Sequence, residues 1–151
     1  MNEDDLKNQI RQLFALQRFA VIATERNRQP YTHLVAFTST PDLRIIVFAT
    51  KRDTQKYLNI RENQHVAVLI DNRENTPTDL SEAMTVNAQG IAKEIKDKNG
   101  GYRRLFLKKH PDLSSFFDDP TCALIEVHVM TYQVVQKFEN VQVITITDES
   151  K

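Results

Sequence analysis

Short runs of β-branched and aromatic residues, separated by brief polar turns, recur along the chain and constrain its fold more than any other feature. Such runs are typical of β-strands, and short connections favour antiparallel pairing over a βαβ arrangement. We therefore predict a mainly β fold, an antiparallel barrel of six to seven strands with peripheral α-helices. The predicted strands are residues 19–24, 31–40, 43–50, 65–71, 84–96, 121–138 and 141–147.

Apolar residues at helical spacing predict the peripheral helices. Leu6 and Ile10 belong to a periodic apolar set that follows an acidic start, which predicts a helix over residues 3–17. Asp53 is predicted to cap a second helix over residues 53–62. Further helical segments are predicted at residues 80–83 and 102–109.

The bulk composition fits one globular domain over residues 1–151, with 40% hydrophobic residues. Lys plus Arg and Asp plus Glu number 20 each, so no net charge attracts nucleic acid or a membrane surface. Self-association meets little electrostatic repulsion for the same reason. No apolar run approaches the roughly 20 residues that span a bilayer, and residues 1–5 lack a signal core. We therefore expect a cytoplasmic protein.

Residues that often carry chemistry receive structural interpretations in this chain. Cys122 lies in an apolar run and is interpreted as a small buried hydrophobe, not a nucleophile. Asp118 and Asp119 precede Pro120 and predict a turn, not a catalytic pair. The histidines show no metal-ligand spacing, so no metal site is predicted and surface or interface positions are expected for all four: His33, His65, His110 and His128.

A basic segment at residues 50–56 is the most informative local feature. Lys51, Arg52 and Lys56 lie at the junction of a predicted strand and helix. Lys56 falls in the first helical turn, where the helix dipole disfavours a positive charge by roughly 0.3–1 kcal/mol. A bound phosphate, held by free helix amides, a hydroxyl and Lys56, would compensate this cost. The alternative is a solvated basic turn whose dipole is offset by Asp53.

The order and spacing of several segments resemble the FMN-binding part of the pyridoxamine 5'-phosphate oxidase-like family of split β-barrel proteins. The resemblance implies a split barrel, FMN as cofactor and a homodimer with the flavin at the interface between chains. It covers about residues 15–95. The segments that carry it are residues 28–37, 46–50, 54–56, 63–70 and the strand 84–90, which ends in glycine.

The phosphate-binding residues are carried over from the resemblance position by position. Lys56 matches the family's phosphate-binding lysine, and Thr50 matches the hydroxyl residue at the preceding strand end. Gln55 stands where the oxidases often have arginine. Lys51 or Arg52 is expected to supply the missing charge.

The resemblance also indicates which residues contact the flavin ring. His33 replaces an arginine at the start of the strand that backs the isoalloxazine. The backbone of Leu34, Val35 and Ala36 is expected to face the ring. Thr85 stands where the oxidases have a glutamine near the flavin.

Other positions depart from the oxidases that act on pyridoxamine phosphate. The chain has no Trp, whereas those enzymes close the site with a carboxy-terminal stretch rich in Trp, Arg and His, and residues 143–148 supply none of these. Thr38 stands where those enzymes place a lysine for the substrate phosphate. We therefore predict that the chain does not oxidise pyridoxamine phosphate, with Arg103 and Arg104 as the only cations able to replace that lysine.

The resemblance implies an FMN-dependent oxidoreductase acting on a small-molecule redox substrate. No side chain stands out as an acid–base catalyst, which is consistent with chemistry carried by the cofactor. Two other functions remain open on the same fold: a non-catalytic protein that stores or senses flavin or binds haem, and a deazaflavin-dependent reductase. Haem would need an axial ligand, for which the candidates are His65, His110 and His128.

Overall fold

The computed structural model describes residues 2–146, and its strands follow the predicted order. Thr147, the last residue of the final predicted strand, lies outside the described residues, as do Met1 and residues 148–151. The strands are β1 (Phe19–Arg26), β2 (Gln29–Ser39), β3 (Ile45–Lys51), β4 (His65–Asp71), β5 (Met84–Glu94), β6 (Cys122–Gln136) and β7 (Asn140–Thr145). The helices are α1 (Glu3–Leu16), α2 (Gln55–Glu62), α3 (Asp79–Glu82), α4 (Gly101–Lys109) and α5 (Ser114–Asp118).

Six of the strands close into an antiparallel barrel in the order β3-β2-β1-β4-β5-β6. Pairing of β3 with β6 completes the ring, and β7 adds a seventh strand by pairing with the carboxy-terminal half of β6. The architecture confirms the predicted barrel. It forms because β6, 15 residues long, is able to pair with three neighbours along its length.

A bulge interrupts the regular pairing of the β5–β6 ladder. Gln89 pairs with Thr131 and Gly90 with Val129, so Met130 has no opposite residue. A Cβ atom at Gly90 would lie only 2.3 Å from the backbone oxygen of His128. Glycine is needed here because the two backbones approach too closely for any side chain.

Two apolar clusters hold the barrel and its helices together. Inward side chains from all seven strands form the main core, into which α1 inserts Leu6, Ile10 and Phe14 and α2 inserts Ile60. A smaller outer cluster joins α4 and α5 to the outside of the barrel and consists of Val47, Phe106, Phe117 and Leu124. Cys122 is fully buried, which confirms its interpretation as a small hydrophobe.

Three local predictions need correction. Thr54, not Asp53, caps α2, because Thr54 has the extended backbone of an N-cap and its Oγ1 accepts a hydrogen bond from the Tyr57 amide at 3.3 Å. The turn predicted at Asp118 and Asp119 was wrong for Asp118, which ends α5. This short helix lacks a side-chain cap and depends on tertiary packing of its aromatic residues, which local sequence does not reveal.

His110 is the third correction, since it is buried and not at the surface. Its Nε2 lies 2.8 Å from the backbone oxygen of Phe37, and its ring packs against Phe106 with centroids 4.9 Å apart. Burial lowers the pKa of this histidine. A single hydrogen bond to a backbone oxygen allows a neutral ring to be buried, so His110 has a structural position between α4 and β2.

Candidate functional site

The barrel is split between β2 and β3. These strands pair only at Phe37, Thr38 and Ser39, and β2 then continues along residues 29–36 without a strand on its β3 side within the described residues. We call this side of residues 29–36 the open edge. It presents backbone groups that no sheet partner satisfies, beside the amino-terminal end of α2.

The alternation of hydrogen bonds identifies which backbone groups face the open edge. The Phe37 amide donates to the backbone oxygen of Arg18, on the β1 side of β2. Successive residues of an antiparallel strand direct their backbone N–H and C=O groups to opposite sides of the strand. The backbone of Val35 therefore also bonds towards β1, whereas that of Leu34 and Ala36 points to the open edge. Of the three residues predicted to face a flavin ring, Leu34 and Ala36 thus direct backbone groups to the side of the open edge, and Ala36 lies where the β2–β3 ladder ends at the Phe37–Phe48 pair. The Val35 side chain is buried in the main core.

The first turn of α2 provides free amides and a network of hydroxyl groups. The Thr54 Oγ1 lies 2.9 Å from the Thr50 Oγ1 and donates to the Lys51 backbone oxygen at 2.8 Å. The cap satisfies the Tyr57 amide, but the amides of Gln55 and Lys56 have no partner within the helix. Such amides, at the positive end of the helix dipole, favour an anion.

Lys56 lies in this first turn, as predicted, and its charge is not neutralised. The first turn contains no acidic residue, and no carboxylate among residues 2–146 forms an ion pair with Lys56. Burial lowers the pKa of Lys56, which means that the folded chain makes the charged amine less favourable than in water. Asp53, to which the alternative of a solvated basic turn assigns the offset of the dipole, lies before the cap and outside the helix.

His33 lies close enough to Lys56 for the positive charge to lower its pKa, in addition to the larger effect of burial. The Nδ1 atom of His33 is buried and has no hydrogen-bond partner among the described residues. An unsatisfied buried nitrogen costs about 1–3 kcal/mol and calls for a partner. An anion at this position would satisfy His33 and compensate Lys56 together.

The other predicted site residues of this segment already have protein partners. Lys51 pairs with Asp119 at 2.6 Å, and Arg52 pairs with Glu94 at 2.9 Å. The amide group of Gln55 donates to the Asn59 Oδ1 at 2.7 Å. The first two contacts tie the segment before α2 to Asp119, which precedes β6, and to the end of β5, whereas the third lies within α2. They leave less free charge at the segment than its composition suggests.

Within one chain, Thr85 does not lie beside the other predicted site residues. It lies on β5, which is separated from β2 by β1 and β4. Its neighbours across the sheet are Asp71 and Val135. Its predicted role therefore depends on a second chain.

Sequence reasoning missed the polar network behind α2. The buried Asn59 side chain donates to the Thr24 Oγ1 at 2.9 Å and accepts from Gln55, which ties the helix to β1. Tyr57 forms a short hydrogen bond with Glu94. Nothing in the sequence indicates that Asn59 is buried, because a polar residue on a helix is normally exposed. Thr54 was detectable as a second cap candidate beside Asp53.

A separate cleft of about 480 Å³, also missed from sequence, lies at the β6 bulge. It contains Tyr102, His128 and Met130 among its lining residues, and none of the predicted flavin-site residues. His128 pairs with Glu126, with 3.2 Å between Nε2 and Oε1. Within the described residues, no group of His, Cys, Asp and Glu has the arrangement of a metal site, and no helix is long and apolar enough to cross a membrane.

A comparison with protein families identifies the family to which the chain belongs. The family model for pyridoxamine 5'-phosphate oxidase matches residues 6–135, which include α2 and the six barrel strands except the last residue of β6. The chain therefore belongs to the pyridoxamine 5'-phosphate oxidase family, as the sequence resemblance predicted. A search of curated proteins found no match.

Solved structures support the same fold. General stress protein 26 from Bacillus anthracis is 22% identical, with a TM-score of 0.67 over 93% of this chain and 98% of that one. A haem binding protein from Mycobacterium smegmatis is 14% identical, with a TM-score of 0.80 over 92% of this chain and 57% of that one. An FAD-binding protein from Mesorhizobium loti is 16% identical, with a TM-score of 0.62 over 90% of each chain. At these identities the likeness concerns the fold.

Proposed function

We propose that the chain binds FMN at the split between β2 and β3, with the phosphate at the start of α2 and the ring along the open edge. The observation that carries the proposal is the pair formed by Lys56, a cation without a carboxylate partner, and His33, with its unsatisfied buried Nδ1. Lys56 belongs to the helix turn that carries the free amides, and its charge acts on His33. These residues fit a phosphate, because an anion there satisfies donors that the protein itself leaves unpaired.

The chain's own residues would bind and orient the cofactor. Lys56 and the amides of Gln55 and Lys56 would hold the phosphate, and Thr50 would keep the cap hydroxyl of Thr54 in position. The backbone groups of Leu34 and Ala36 would hydrogen-bond the polar edge of the ring. A bound flavin supplies hydride or electron transfer, which makes an oxidoreductase with a small-molecule substrate the function that this site supports best.

A homodimer is the second part of the proposal. One outer face of the barrel, across β2, β1, β4, β5, β6 and β7, carries two adjacent rows without any charged residue. Helices α4 and α5 pack elsewhere, against β2, β3 and the start of β6. The rows are Leu34, Val21, Leu69, Asn87, Gln133 and Val143, and Thr32, Ala23, Ala67, Gln89, Thr131 and Thr145.

An uncharged face of this extent favours a second copy of the chain. Leu34 at one end is 67% exposed and Val143 at the other is 62% exposed, so apolar surface remains open across the sheet. Thr85 borders this face on β5. A partner chain packed here would bring its Thr85 towards the open edge, which gives this residue a position from which to contact the flavin.

Pyridoxamine phosphate is not the proposed substrate. Thr38 is buried and uncharged, in the middle of the three β2–β3 pairs. The neighbouring space outside β3 is filled by the outer cluster, against which Ala36 and Ala49 pack. Arg103, one of two cations considered as a replacement, pairs with Asp118 at 3.0 Å and lies over the Phe117 ring.

Haem binding is a second candidate function, and the cleft at the β6 bulge is the observation that favours it. Of the three candidate axial ligands, His110 is buried with Nε2 beside the Phe37 oxygen, and His65 is exposed on β4. His128 lies in a cleft with apolar neighbours that include Ile91 and Met130. A deazaflavin would use the same phosphate and ring positions as FMN.

The absorbance spectrum of the purified protein, before and after reconstitution and desalting, tests these candidates. We expect an oxidised flavin spectrum at close to one FMN per chain, and weaker retention in a Lys56→Ala variant. A Soret band that is lost in a His128→Ala variant would instead establish haem binding. Deazaflavin would be recognised by its band at shorter wavelength than oxidised flavin.

A further inference from the structure

We infer that phosphate binding at this site is coupled to the uptake of one proton by His33, so that the chain holds FMN more tightly as the pH falls. The inference rests on the proposed FMN site and adds a regulatory property to it. Its basis is the position of a histidine with a buried, unpaired Nδ1 beside Lys56. An arginine in this place would carry a fixed charge, whereas histidine changes charge near neutral pH.

The surroundings of His33 favour the neutral ring in the free protein. Ile22 lies opposite on β1, and Thr24 is the next residue on the same face of β1; both are buried and uncharged. From α2, Lys56 is the charged group that acts on the ring, and it is positive. Arg11 of α1 and Lys109 of α4, two cations of the other helices that pack on β2, lie beside Thr38 at the far end of the strand. No carboxylate of the described residues favours the imidazolium ion.

A bound phosphate reverses this balance. In the free protein, burial and Lys56 hold the pKa of His33 below its ordinary value. A phosphate dianion in contact with the imidazole of His33 raises this pKa. Between these two pKa values, binding takes up a proton from solvent. The affinity for FMN therefore rises as the pH falls towards the lower pKa, which is that of the free protein. It decreases as the pH rises through the higher pKa, which is that of the complex.

Calorimetric titration of the full chain with FMN at pH 7, in buffers of different ionisation enthalpy, counts the protons taken up. We expect roughly 0.5–1 proton per FMN, and a dissociation constant that rises with pH by at most about tenfold per pH unit. The phosphate itself gains a proton only near pH 6, which is below the chosen pH. Riboflavin, which lacks the phosphate, is expected to bind weakly and without proton uptake.

Variants separate the contribution of His33 from that of the rest of the site. His33→Gln is expected to abolish the proton uptake and to weaken FMN binding at pH 6 more than at pH 8. His33→Arg is expected to bind FMN with neither proton uptake nor pH dependence, and it provides a second variant with a fixed charge. His65→Gln, at an exposed histidine on β4, is the matched control and is expected to behave as the wild type.

The possible failures are distinguishable. FMN binding without proton uptake, or with an uptake unchanged in His33→Gln, would overturn this inference and leave the proposed FMN site intact. Absence of FMN binding in the wild type at every pH would overturn both.

Discussion

The Lys51 Nζ lies 2.6 Å from the Asp119 Oδ2, so the cation at the end of β3 is held by the residues that lead into β6. The hydrogen bond from Lys51 keeps the pKa of Asp119 well below its usual range. Lys56, five residues further along, has no carboxylate partner among residues 2–146. Two lysines of one basic segment therefore differ in the charge that they can offer to a ligand.

Lys56→Ala is expected to weaken FMN binding by about 1.5–3 kcal/mol, the range for a hydrogen bond to a charged group, with the fold intact. Lys51→Ala is expected to have a smaller effect, because Asp119 already neutralises its charge. Titration calorimetry measures both, and circular dichroism checks the fold. Lys108→Ala, at an exposed lysine of α4, is the control. Unchanged affinity in Lys56→Ala would exclude this lysine from the site.

Gly90→Ala is expected to destabilise the fold by about 1–3 kcal/mol, because its Cβ would collide with the backbone of β6 at His128. Gly101→Ala is the matched control. A Cβ there would lie 3.9 Å from its nearest neighbour, a side-chain atom of Arg104, and alanine favours the start of α4. Urea denaturation of the two variants gives the comparison. Equal stability would mean that the bulge relaxes without cost.

The chain is expected to be a dimer with a total interface beyond roughly 2,000 Å², larger than the standard size. Val143→Asp places a charge on the uncharged outer face and is expected to shift the protein towards monomer. Leu80→Asp, at a residue of α3 that is 60% exposed but off that face, is expected to leave the dimer unchanged. Sedimentation velocity at micromolar concentration distinguishes the species. A wild-type monomer, with or without FMN, contradicts the prediction.

Purified protein with FMN is expected not to oxidise pyridoxamine phosphate at a useful rate. A substrate phosphate needs fixed cations worth about 1.5–3 kcal/mol each, and Thr38 supplies none. The check is a coupled assay for pyridoxal phosphate with saturating FMN and oxygen. Turnover of about 1 per second or more would show that Arg103 and Arg104 provide the missing contact.

Most of the fold could be predicted because each strand carries its own signal. The run at His65–Asp71 was predicted with the observed bounds, and the interruption at Gly90 marks the observed bulge. The sequence predicted a barrel of six to seven strands, but not which two strands close it; in the structure they are β3 and β6. The helix α5 was not predictable, since Phe117 is stabilised by the distant Phe106 and not by its own segment.

The secondary structure that carries the candidate site could be predicted, whereas the interaction partners of its side chains could be predicted only in part. The spacing of residues 50–56 placed Lys56 in the first turn of α2, which the structure confirms. Whether a charge is free depends on partners far along the chain, such as Asp119 for Lys51 and Glu94 for Arg52. The unpaired Nδ1 of His33 likewise depends on how α2 packs beside β2.

The open edge of β2 also bears on how the chain avoids aggregation. Free backbone groups on an edge strand are a template on which another chain can add a strand. Pro30 removes one donor near the start of β2, but Leu34 and Ala36 have no such protection. A flavin bound to these groups would block edge-to-edge association of two chains. We therefore expect the supply of cofactor during synthesis to influence how much of the chain reaches its native state.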